Sequence, residues 1–335
     1  MEIKQFFRIK ICLTLVSATF FLGSCTNEDI KTAEKFGLLS AELSAANTRI
    51  SADIYGSCTR WAILFGNDTP RSRSQMQTVI KDCDEYRQNA EKAKLAGGIL
   101  IGYVKAIGEL ATEDSAGFNQ RFAEIEESLN SLAFDKNVPT PTAEDPNKIS
   151  TIKVKFNDSA VKAGVKIAEF ITNLIIRDFR RENLKTAIVC TSDSIEEYSE
   201  ELASFFEDHY VNYLLDREID KLAEVRGYDK AEDQLLKKEI QDIVELKKGG
   251  SAYVILIQST AQFHNRLKLI FNDDQNELSI EQNKECDEYF AFNSSPSYLS
   301  NQAISLNELD RASKALDNYI NEISPLLAQI NKKSK

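Results

Sequence analysis

Two histidines, His209 and His264, are all the imidazole this 335-residue chain offers for acid–base or metal chemistry. His209 sits in Glu207-Asp208-His209, with Asp216 two helical turns further on the same face, so carboxylates are at hand. His264 falls on a stripe with Tyr253, Ile257 and Ala261, and the two imidazoles would meet if their helices packed together. Neither histidine follows a glutamate at Glu-x-x-His spacing, and no His-Glu-x-x-His occurs, so the metal motifs of helical bundles are missing. Nucleophilic catalysis finds no Gly-x-Ser-x-Gly, and phosphate binding finds no P-loop after Gly97-Gly98 or Gly249-Gly250. Asp273-Asp274-Gln275-Asn276-Glu277 is acidic enough to suggest Ca²⁺ but lacks the glycine and ligand spacing of an EF-hand. The paired acids Glu196-Glu197, Glu200-Glu201 and Glu207-Asp208 read as the solvated face of a long helix. Catalytic, cofactor and metal residues are therefore all expected to be absent, and an enzyme using His209 and His264 is the third-ranked reading.

Cysteine is the other reactive residue, and its placement separates three roles. Cys12 and Cys25 lie in an N-terminal stretch with Lys4, Arg8 and Lys10 ahead of an apolar run, Ile11 to Leu22. That run is about a dozen residues, the length of a secretory leader and short of the ~20 a membrane span needs. It ends in Leu22-Gly23-Ser24-Cys25. This stretch resembles the lipobox of bacterial lipoproteins, and the resemblance covers residues 1–25 only. It implies cleavage before Cys25, a thioether-linked lipid with palmitate-type acyl chains on Cys25, and a membrane-held protein of the cell envelope. Thr26 stands where inner-membrane members of that class carry Asp, which points to the outer membrane. Asn27-Glu28-Asp29 resembles the acidic tag of surface-displayed members.

The remaining cysteines, Cys58, Cys83, Cys190 and Cys286, are an even number in an exported chain, so two disulfides are expected. A zinc site would want a Cys-x-x-Cys pair, which is absent. Gly66-Asn67-Asp68-Thr69-Pro70-Arg71 has the residue types of a turn and contains the midpoint between Cys58 and Cys83. If helices run antiparallel from that turn, those two cysteines stand at equal height. Cys58–Cys83 follows, and Cys190–Cys286 by remainder.

Composition narrows the partners. The net charge of −11 becomes −13 once the leader takes away three basic residues and one acid. Such a chain gains nothing from phosphate counterion release, so nucleic acid is excluded as a partner. Six prolines and 13 glycines are few for this length and favour helix.

The elements that must position these residues are helices. Phe36, Leu39, Leu43, Ala46, Ile50, Ile54, Ser57, Trp61 and Leu64 form one long stripe at three- and four-residue steps. Met76, Ile80, Cys83, Tyr86, Ala90 and Ala93 continue beyond the turn, and Phe118, Phe122, Ile125, Leu129 and Leu132 make a third stripe. Leu95 to Val104 is apolar all round, with Gly98, Gly102 and Ala106 at four-residue steps that suit a close helix contact. A second set starts with Val161, Val165, Ala168, Ile171, Ile175 and Phe179. A capping box at Ser194 and Glu197 is expected to open a helix running from Ile195 to Val225. Leu235 to Leu246 reads as a charged helix stopped by Lys247-Lys248-Gly249-Gly250. Ser305 and Glu308 form another capping box before the stripe Leu309, Ala312, Leu316, Tyr319, Ile323, Leu327 and Ile330. Ala187-Ile188-Val189 is too short to assign, and no strand is expected.

These patterns predict an all-α fold: an elongated antiparallel helical bundle stapled by disulfides, with room for two sub-bundles. Residues 1–24 are the signal peptide, 25–34 the lipidated tether, 35–135 the first sub-bundle, 136–150 a Pro-rich linker and 151–331 the second sub-bundle. The expected function is binding or scaffolding by an anchored envelope protein, with an envelope protein or an external ligand as partner. The alternative is a bundle that takes up a small hydrophobic ligand or inserts into membranes, for which Leu95 to Val104 is the motive.

Overall fold

A computed structural model describes residues 25–65, 83–110, 140–142, 145–150, 157–176, 184–224, 230–275, 278–280, 282–284, 286 and 305–331. The leader, the turn at 66–71 and the stripe 118–132 lie outside the described residues. The fold is a helical bundle, in elements α1 (Cys25–Phe65), α2 (Asp84–Leu110), α3 (Asp158–Ile176), α4 (Leu184–Phe205), a π-helical segment (Phe206–Leu215), α5 (Asp216–Glu224), α6 (Lys230–Phe271) and α7 (Leu306–Asn331), with one short hairpin beside them. The first helix starts at Cys25, so the segment assigned as a tether, 25–34, is continuous with α1.

One antiparallel hairpin, β1 (Thr140–Thr142) with β2 (Asp145–Ser150), occupies the stretch read as a strandless linker. Both strands are edges, which is where prolines such as Pro141 and Pro146 are tolerated. Pro141 faces Ile149, and the register shifts before Thr142 reaches Asp145.

α1 and α2 form the expected antiparallel pair. Cys58 is bonded to Cys83, with Cα atoms 5.8 Å apart. Eleven residues back along α1, Asn47 Nδ2 donates to the carbonyl of Lys94, eleven residues forward from Cys83. Leu39, Leu43, Ala46, Ile50, Ile54 and Ser57 are buried as the stripe requires, while Trp61 is only half-buried. Cys190 is bonded to Cys286, tying α4 to the chain beyond α6.

A single buried cluster runs through all the long helices, from Leu39 on α1 to Ile330 on α7, so residues from both sides of the 136–150 stretch share one core. Buried tyrosines lock its register, each packed in apolar surroundings and bonded to another helix. Tyr198 Oη donates to the Ala96 carbonyl at 2.9 Å, Tyr253 Oη to Asn47 Oδ1 at 2.7 Å, and Tyr319 Oη lies 2.8 Å from Thr260 Oγ1.

Several helix boundaries differ from the sequence expectation. Ser194 is buried inside α4, which begins ten residues earlier; Ala187, Ile188 and Val189 are core residues of that helix. Burial of that run overrides the local capping signal. Lys247-Lys248-Gly249-Gly250 does not end a helix, because α6 runs unbroken from Lys230 to Phe271. Gly250 is there for close packing. A Cβ on it would come within 2.8 Å of Tyr210 Cε1 and 2.9 Å of Val211 Cγ2. On α2 the close approach falls on Gly97, where a Cβ would sit 2.2 Å from Asn47 Oδ1, and not on Gly98, which has open space around it. On α3 the buried face is Ala160, Ala163, Gly164, Ile167 and Ala168, a step away from Val161 and Val165, so that Gly164 can abut the ring of Tyr198.

Other local signals act as read. Ser305 and Glu308 make a reciprocal capping box: Ser305 N donates to Glu308 Oε2 at 2.7 Å and Glu308 N to Ser305 Oγ at 3.2 Å. A cap that the sequence reading did not pick out opens α3, where Asn157 accepts from the backbone N–H of Ser159 and Ala160.

Candidate functional site

The two histidines do not meet. His209 lies in the π-helical segment, half-buried, its ring edge-on to Phe205 with centroids 5.6 Å apart. Its neighbour Tyr210 packs at Gly250, whereas His264 is fourteen residues further along α6, about 20 Å at 1.5 Å per residue. Glu207 and Asp208 are exposed, and Asp216 pairs with Lys247, so the acid–base cluster drawn around His209 is not assembled. The expected site needed α-helical periodicity from 209 to 216, and the π-helical turn changes which residues share a face.

His264 is buried at the meeting of α2, α4 and α6. Its Nδ1 is 2.6 Å from Tyr103 Oη, while Nε2 makes no hydrogen bond. Burial, reinforced by the positive charge of Lys268 and opposed by the Ile188 backbone, lowers its pKa to about 3. A histidine held neutral in this way is a core residue that completes a polar pair with Tyr103. No group of three or more His, Cys, Asp or Glu side chains able to hold a metal occurs among the described residues.

The most concentrated chemistry lies where α1 meets the π-helical segment and α5. Arg60 on α1 is held on two sides. Its Nη1 and Nη2 donate to Asp53 at 2.6 and 3.0 Å, and its Nε donates to Glu218 Oε2 at 2.8 Å. Ser57 donates to Glu218 Oε1, and Tyr210 donates to Asp53 Oδ2 at 2.7 Å. Asp53 is one turn from Ser57 and two from Arg60, so α1 presents all three on one face. The π-helical segment then aims Tyr210 at Asp53 while α5 delivers Glu218, which is 1% exposed.

Electrostatics explain why this cluster is closed. Burial pushes the Glu218 carboxyl up from its usual range, and its hydrogen bonds to Arg60 pull it back only in part. For Arg60, burial opposes the charge, but the hydrogen bonds and charges of Asp53 and Glu218 outweigh it and hold the guanidinium firmly protonated. Burial, then the Asp53 charge, raises the Tyr210 phenol well above its ordinary value. Sequence reading missed the cluster. The available signal was Glu218 itself, a charged residue in phase with Val211, Leu215 and Leu222 on the buried stripe.

Beside this cluster, the Arg217 guanidinium sits over the Trp61 ring, 4.1 Å from its centroid, and its Nη1 donates to Tyr213 Oη at 3.3 Å. Burial raises the nearby Tyr86 phenol to about 12. Along α4 and into the π-helical segment, Glu196, Glu197, Glu200, Glu207 and Asp208 are exposed, the solvated face expected of them, while Glu201 is half-buried and accepts from the Asn157 backbone N–H. The apolar stretch Leu95–Val104 is part of α2, and no described helix is long and apolar enough to cross a membrane. The crevice lined by Leu43, Leu100, Val104, Tyr253 and Ile257 has room for about one water molecule. Asp273 and Asp274 form a turn in left-handed backbone conformation, with Asp274 paired to Arg311.

Comparison with protein-family models, with curated proteins and with solved structures found no match.

Proposed function

We propose that this chain is a lipid-anchored protein of the bacterial cell envelope that works by binding or scaffolding. The observation that carries the reading is Leu22-Gly23-Ser24-Cys25 at the end of a basic and then apolar leader. Two disulfides are in keeping with an oxidising compartment outside the cytoplasm. The side chains best suited to chemistry are engaged inside the fold, His264 with Tyr103 and Asp53 and Glu218 with Arg60, which favours a non-catalytic role. The narrow crevice on α2 offers little space for a hydrophobic ligand, so the alternative of ligand uptake ranks second.

The experiment is fractionation of cells expressing the full chain or Cys25→Ser. The wild type is expected in the membrane fraction as a lipid-modified species, and the variant unmodified. Equal distribution and mass of the two proteins would overturn the anchoring. Protease added to intact cells, against a periplasmic control protein, then separates surface display from a periplasmic location.

A further inference from the structure

Parity leaves one thiol over. Of the chain's six cysteines, Cys12 departs with the leader, and Cys58–Cys83 and Cys190–Cys286 use four more. Cys25 is left with no cysteine to pair with, and an odd thiol in an exported chain invites wrong bonds. The next cysteine along is Cys58, thirty-three residues on, against the 25 that separate Cys58 from Cys83. In an unfolded chain, loops of those two lengths close with probabilities that differ by a factor of only about 1.5. Export from the N-terminus also brings Cys25 and Cys58 out before Cys83. Chain entropy does not protect the native pair.

The fold shows what the wrong bond would do. The backbone of α1 is helical from Cys25 through Cys58, which sets those two residues about 50 Å apart along the axis. A disulfide needs Cα atoms within about 7 Å, a condition met at 5.8 Å by Cys58–Cys83 and at 5.1 Å by Cys190–Cys286. A Cys25–Cys58 bond and α1 cannot coexist, and α1 supplies the buried face Leu39–Ser57. Folding then shelters the native bonds, since Cys83 is 1% exposed and Cys190 and Cys286 are buried. A free thiol on Cys25 is a hazard before folding and not after it.

We propose that the thioether on Cys25 is also a thiol block, and that this alkylation has to precede disulfide formation in the same chain. The inference rests on lipidation of Cys25, read from Leu22-Gly23-Ser24 ahead of it. In the first reaction the Cys25 sulfur displaces a phosphate headgroup from the glycerol carbon of a membrane phospholipid. An S–C bond forms, the C–O bond to phosphate breaks, and the thiol proton leaves with the phosphate. In the second, each cysteine pair passes two electrons and two protons to an exported disulfide oxidant, which departs as a dithiol. A thioether takes no part in that exchange, so the four remaining thiols have only each other.

Exchanging residues 1–24 for a secretory leader with an Ala-x-Ala cleavage site exports the same mature chain with Cys25 unalkylated. Peptides are mapped by mass spectrometry without reduction in three proteins: the wild type, the leader-exchanged chain, and that chain carrying Cys25→Ser. Native pairs alone are expected in the wild type. In most molecules of the leader-exchanged chain, Cys25–Cys58 or Cys25-linked dimers are expected to displace Cys58–Cys83, and Cys25→Ser is expected to restore it. Native pairs beside a free Cys25 thiol in the leader-exchanged chain would overturn the thiol block and leave the anchor standing. Mispairing that persisted with Cys25→Ser would lay the fault elsewhere and overturn it as well. A wild-type Cys25 peptide without lipid would remove the anchor and the block together.

Discussion

Glu218 is a carboxylate with almost no access to water, and its stability depends on the guanidinium beside it. Arg60→Ala would leave Glu218 buried without its cationic partner. Breaking a buried pair in this way costs about 3–5 kcal/mol, so the expected outcome is a large fall in the urea midpoint with an unchanged slope. Replacing both partners by apolar residues, as in an Arg60→Met, Glu218→Leu double variant, is expected to cost far less, because no orphaned charge remains. His264 gives a pH signature. Its folded pKa is near 3 and its ordinary value 6.5, so the unfolded chain takes up a proton that the folded chain refuses. Its contribution is fully present above pH 6.5 and is lost as the pH falls toward 3, at a slope approaching about 1.4 kcal/mol per pH unit. Glu218, with its raised pKa, acts in the opposite sense. Comparing urea midpoints of wild type and His264→Gln between pH 7 and 5 isolates the histidine, and the variant is expected to lose this slope.

At the scale of elements, two adjacent glycines test what the middle of α6 requires. Both lie in a helix interior, where exchange for alanine contributes about 1 kcal/mol of helix propensity. At Gly249 the nearest atoms to an added Cβ are 3.8 Å away, so Gly249→Ala is expected to raise the melting temperature. At Gly250 the methyl group would press on Tyr210 and Val211 in the π-helical segment. Overpacking of that kind costs about 1–3 kcal/mol, and Gly250→Ala is expected to lower the melting temperature. Opposite signs at neighbouring positions would show that the pair serves close packing and not termination. The π-helical segment itself was illegible: nothing in Phe206–Leu215 distinguishes it by residue type from an α-helix. It is held by partners remote in sequence, Gly250 and Asp53 among them.

For the whole molecule, α1 spans about 60 Å, from the residue read as the lipid attachment point through its buried face at Leu39–Ser57 to Phe65. Where the chain stands in the envelope is the question that fractionation answers. The helical class, the long stripe of α1, the Cys58–Cys83 pair and the capping box at Ser305 were all legible in the sequence. Each depends on residues close in the chain, or on symmetry about one turn. The face of α3, the true start of α4, the continuity of α6 and the cluster around Arg60 were decided by tertiary structure. Each depends on which surfaces meet, and burial of a glycine, a carboxylate or a β-branched run outweighs the propensity that the same residues show alone. The histidines make the point most plainly. Their periodicity put each on a helix, but only the packing of the π-helical segment against α6, with Tyr210 at Gly250, set His209 fourteen residues of α6, about 20 Å of helix, away from the level of His264.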